Sequence, residues 1–198
     1  MELQFAAFPA VAALLLTGTL LLISRDWRFS IFVLALQYFG MFILIALSWP
    51  LELAVVKLVA GWISGAILGL ALVNTRDEIQ AEGDLALSGT VFRILLAVLA
   101  FLIAYSIGLR LVVWLPELEL EQAIGGMALI LLGLIHLGLT SLPLRVVLGL
   151  LTVMSGFEIL YAGIERSTLV TGLLAFIGLG LAFTGAYMLI APTLEGAE

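Results

Sequence analysis

Four side chains could do chemistry where most of this chain cannot: Gln37, Lys57, His136 and Glu158, each set inside a long apolar run. At membrane depth a polar or ionisable group is costly and is a functional candidate by default. Lys57 lies about six residues into its run and Glu158 about six residues from the end of another. At 1.5 Å per residue each would sit about 9 Å deep if the runs are helices. If those helices run in opposite directions, ammonium and carboxylate reach one depth. A pair, or a shared polar chain, is then the expectation. Charge on either group is costly without the other, and groups so held are suited to a proton relay.

Each residue also has a plainer reading. Lys57 could snorkel its stem to the interface, and Glu158 could make a structural hydrogen bond. Gln37, near mid-membrane, suits helix–helix adhesion. His136 has no second ligand at helical spacing, which favours a structural hydrogen bond over proton transfer or axial ligation of haem or pigment. The chain has no cysteine, so thiolate metal sites, disulfides and thiol nucleophiles are excluded. It carries no nucleophile elbow, phosphate loop, zinc helix or dinucleotide fingerprint. No catalytic residue, metal or cofactor is expected, although a quinone or pigment held between apolar helices would leave no signature.

The elements that must position these residues are membrane-spanning. Of 198 residues, 64% are hydrophobic and 11% charged, against about 25% charged in soluble domains; mean hydropathy is +1.28. Lipid or neighbouring subunits must cover such a surface. Seven apolar runs cover 6–24, 29–48, 51–73, 91–114, 123–140, 144–164 and 167–191. Each is near the roughly 20 residues that cross a bilayer as a helix. Their continuous apolarity excludes barrel strands, which alternate. The expectation is an all-α transmembrane bundle of seven helices in one domain. It becomes six if the Gly-rich fifth run, which holds His136, is short, tilted or re-entrant. The first run follows Met1-Glu2-Leu3-Gln4, has no basic flank, and reads as a span rather than a signal peptide.

The breaks have local causes. Arg25-Asp26-Trp27-Arg28, Ser48-Trp49-Pro50-Leu51-Glu52, Ser141-Leu142-Pro143 and Glu165-Arg166-Ser167-Thr168 supply interfacial charges, helix-starting prolines and an N-cap. The loop at 75–90, with Arg76, Asp77, Glu78, Glu82 and Asp84, divides a three-helix unit at 1–74 from a four-helix unit at 91–198. Pro116 to Glu121 is an acidic rim, solvated or attractive to cations. Arg25, Arg28, Arg76, Arg93 and Arg145 would share one face, and Arg110 and Arg166 the other. The positive-inside rule then places the N-terminus outside and the C-terminus in the cytoplasm of a bacterial-type inner membrane. With only eight Lys and Arg against a net charge of −6, nucleic-acid binding is excluded. Gly61, Gly65 and Gly69 put a smooth stripe on the third helix, and Gly172, Gly178, Gly180 and Gly185 make the seventh similarly packable.

Two stretches resemble known families. Ser24 to Asn74, on Trp27-Arg28-Phe29-Ser30, then Pro50 through Glu52 to Lys57 and the glycine stripe, resembles the second and third helices of the J-type membrane subunit of respiratory complex I. Arg145 to Tyr161, on Gly156-Phe157-Glu158-Ile159-Leu160, resembles the second helix of the K-type subunit and its cation/proton antiporter relatives. The resemblance implies a place beside other membrane subunits in a proton- or cation-translocating complex, with Glu158 handling protons. The K-type family carries a second glutamate on the next helix; Thr171 to Ile190 has none. The two halves are also faintly alike, as parallel three-helix copies. Three functions remain: an accessory or ion-path subunit of such a complex, a small independent channel or transporter, and a structural scaffold or assembly protein.

Overall fold

Each polar break becomes a helix boundary. In the computed structural model, which describes residues 2–74 and 87–195 and the side chains of 5–73 and 89–191, the chain is seven helices. They are α1 (Glu2–Ile23), α2 (Trp27–Ile45), α3 (Leu51–Asn74), α4 (Leu87–Trp114), α5 (Leu120–Gly138), α6 (Pro143–Ile164) and α7 (Thr168–Glu195). Asp26 caps α2, accepting from the Arg28 amide at 2.9 Å. The Pro50 carbonyl accepts the first amides of α3, from Leu53 and Ala54. Pro143 opens α6, where a missing N–H is harmless. Ser167 precedes α7 and its hydroxyl accepts from the Val170 amide. No strand occurs among the described residues.

All seven helices are long and apolar enough to cross a membrane. Hydrocarbon offers backbone groups no partner, so each span satisfies its own as a helix. α5 is one continuous helix of 19 residues, so the shorter or re-entrant alternative is not adopted. The charged residues from Arg76 to Asp84 in the midpoint loop lie outside the described residues.

The helices form two rows. α2 lies between α1 and α3, and α6 between α5 and α7; α1 packs on α5, α2 on α6 and α3 on α7. α4 flanks α5 and, more lightly, α1. The core between the rows holds Leu14, Leu34, Met41, Leu44, Leu68, Leu129, Leu151 and Ile159. α4 and α7 turn Leu95, Val98, Leu102, Phe176 and Phe183 outward, as lipid-facing helices do.

The tightest seam is between α5 and α6. A Cβ on Gly156 would stand 2.5 Å from the Gly126 carbonyl oxygen, and one on Gly133 would stand 2.9 Å from that of Gly149. Both helices carry glycines seven residues apart, so the two backbones touch at two levels. The expected stripe on α3 behaves differently along its length. A Cβ on Gly61 would collide with the Tyr38 ring, whereas Gly65 and Gly69 meet only Ile31 at ordinary contact distance. The expectation for α7 is corrected. Gly185 packs against Val147, but Gly172, Gly178 and Gly180 meet nothing within 4 Å, because α7 is an outer helix with much of its surface unpacked.

Candidate functional site

Lys57 lies in the second turn of α3, among Val55 and Val56, which are exposed. Its own side chain turns the other way, into the bundle, and is only 2% exposed. Glu158, two turns before the end of α6, is 6% exposed. The Lys57 Nζ donates to Glu158 Oε1 at 2.7 Å. The antiparallel course of α3 and α6 therefore brings the two groups to one level, and the snorkelling alternative is not adopted.

The pair continues along α6. Thr152, Ser155 and Glu158 follow one another at three-residue spacing, so all three lie on one side of the helix. Ser155 Oγ donates to the Leu151 carbonyl and Thr152 Oγ1 to that of Leu148, both at 2.8 Å. Their oxygens remain free to accept. Tyr38 of α2 lies beside Ser155 and Glu158, the three lining one small cleft. Gln37 Nε2 donates weakly to Thr152 Oγ1 at 3.4 Å, while Gln37 Oε1 has no partner among the described residues. The absence of a side chain at Gly61 lets the Tyr38 ring lie flush against α3. Beside the pair is a cleft of about 10 Å³, lined by Tyr38, Lys57, Ser64, Ser155 and Glu158 and reaching Gly178 of α7. That is close to the least space one water occupies.

His136 does not join this cluster. It lies in the last turn of α5, buried at the opposite face of the bundle beside Arg93 and Arg145. Arg93 Nη1 donates to the Leu22 carbonyl at 2.7 Å and Arg145 Nη2 to that of Ser24 at 2.6 Å. Both thus cap the C-terminal end of α1. His136 Nε2 has no partner among the described residues. No group of His, Asp or Glu suited to a metal occurs among them either.

Of the four residues singled out by sequence, Lys57, Glu158 and Gln37 share one connected region and His136 stands apart. Sequence reasoning missed Tyr38, Thr152 and Ser155. Polar residues every three positions on an apolar helix were the available signal for the last two. Tyr38 had none, because an aromatic in an apolar run reads as packing.

Fold and site together define an integral membrane protein: a seven-helix bundle with a compensated ion pair buried between its rows. The chain matches no protein-family model, no curated protein and no solved structure.

Proposed function

We propose that this protein is an ion-path or accessory membrane subunit of a multisubunit proton- or cation-translocating, or electron-transfer, complex. In this reading Lys57 and Glu158 form its charge-exchanging node, and Tyr38, Ser155, Thr152 and Gln37 extend it. The observation that carries the reading is the buried 2.7 Å pair of Lys57 and Glu158. A neutral pair replaced by apolar side chains would cost a bundle little, so retaining it is best explained by use. The local resemblance around Glu158 to K-type and antiporter subunits points the same way. So does the Lys57 tract, where the J-type likeness lies. The positive-inside rule places the face of Arg25, Arg28, Arg93 and Arg145 in the cytoplasm, with both the N-terminus and Trp49 on the outer side of a bacterial-type inner membrane.

The test has two arms. Mild-detergent purification of the tagged chain is expected to bring antiporter-like or quinone-oxidoreductase subunits with it. Glu158→Gln in that assembly is expected to abolish proton or cation flux while leaving the assembly intact; unchanged flux retires the relay. Flux through the purified chain alone would identify an independent transporter.

A scaffold with purely structural charges is the second reading, and one observation favours it. Between Thr152 and Arg145 the buried side chains of α6 are Val147, Leu148 and Leu151, in one apolar cluster with Leu34 of α2, so the described residues of α6 give the node no polar continuation to that face. Flux and assembly both unchanged in Glu158→Gln would select this reading.

A further inference from the structure

α2 ends at Ile45, and residues 46–49 fold back tightly, the amides of Ser48 and Trp49 donating to the Ile45 carbonyl. This turn drives Trp49 inward, where only 4% of it is exposed. Tryptophans at interfaces usually lie open to headgroups; this one is packed into the core cluster. Its Nε1 donates to the Glu165 carbonyl at 3.0 Å, just past the end of α6. Its ring meets Tyr161 edge-on at 6.3 Å between centroids, and Tyr161 stacks in turn on Phe157. Tyr161 is one turn beyond Glu158 on α6, and Ala54, fully buried, is one turn before Lys57 on α3. The indole therefore occupies the layer between the ion pair and its nearer face.

A second clamp holds the same turn. Gln122 of α5, fully buried, donates through Nε2 to the Leu44 carbonyl at 2.8 Å and to Ser48 Oγ at 2.9 Å. Its Oε1 also accepts from the Glu119 amide. The turn is thus fastened to α5 by Gln122 and to the α6–α7 connection by Trp49. Only the second fastening crosses above the pair.

From this geometry we propose that Trp49 is a plug. It seals the Lys57–Glu158 pair from water at the nearer face, and release of its contacts with Glu165 and Tyr161 opens that side. The proposal deepens the functional reading above and rests on it for its purpose, but its test reads access rather than flux.

The chain has no cysteine, so a single introduced thiol reports alone. Ala54→Cys places it between indole and pair. With Trp49 intact, this thiol is expected to resist a membrane-impermeant maleimide applied from either side. Adding Trp49→Ala is expected to raise its labelling rate at least tenfold, from the Trp49 face only. Trp49→Phe, which keeps an aromatic edge for Tyr161 and loses the Glu165 bond, is expected to give an intermediate rate. Leu148→Cys, deep on the opposite side of the pair, serves as the control for general loosening. Equal rates with and without Trp49, ready labelling of Ala54→Cys alone, or parallel labelling of Leu148→Cys would each overturn the plug. Loss of flux in Glu158→Gln with no change in access here would separate failure of this proposal from failure of the functional one.

Discussion

Among the described residues, charge is buried in two places and by two different means. Between α3 and α6, a cation meets an anion at 2.7 Å, and the region as a whole is neutral. At the opposite face, Arg93 and Arg145 bind the last carbonyls of α1. There the helix end supplies partial negative charge and otherwise unsatisfied acceptors. The arginine solution fixes three helices together but has nothing to exchange, since guanidinium holds its proton. In the lysine–glutamate solution both partners are titratable, and either can give up charge if the other does. Position follows the same logic: the caps sit where helix ends are, and the pair sits inside the spans.

The contrast can be broken most sharply at Glu158. Glu158→Ala strands the Lys57 ammonium and is expected to lower stability by about 3–5 kcal/mol, whereas Lys57→Met with Glu158→Leu together should be close to neutral. Thermal unfolding in detergent measures both, and a double variant as unstable as the single would show that the two do not compensate each other. Arg93→Ala should cost less, about 1.5–3 kcal/mol for one charge-assisted hydrogen bond, and Arg93→Lys should recover part of it in the same assay.

The seam that carries both regions can be probed next. Gly156→Ala forces a methyl against the Gly126 carbonyl and should cost about 1–3 kcal/mol. Gly178→Ala, with open space around it, should be neutral or slightly stabilising through helix propensity. A reversed order would mean that α5 and α6 are not in backbone contact. Smallest among the destabilising changes, Gln37→Leu gives up a 3.4 Å hydrogen bond and an unpartnered oxygen. Its expected effect on the melt is below about 1 kcal/mol. A larger loss would promote Gln37 to a principal member of the node.

Much of this was legible in the residues. The apolar runs gave helix number and class, and Lys57 and Glu158 announced themselves by being ionisable in apolar surroundings. Their common level followed from counting residues along antiparallel spans. Glycine was read less well. The Gly61 stripe drew attention by its four-residue spacing, while the seven-residue pairs Gly126/Gly133 and Gly149/Gly156 form the backbone-to-backbone contact. Spacing within one helix cannot say which neighbour it meets. His136 was grouped with the pair because it too is ionisable within an apolar run, although its place in the last turn of α5 sets it at the other face.

What the sequence determined by itself is therefore everything governed by local hydropathy and by rise per residue: how many spans, where they stop, and how deep each polar group lies. Tertiary structure alone decided which groups at a given depth face one another. That is a matter of helix rotation and of neighbours, set by packing among side chains far apart in the chain. It turned Lys57 toward Glu158 rather than lipid, brought Tyr38 against Gly61 and Ser155, and folded Trp49 over the pair.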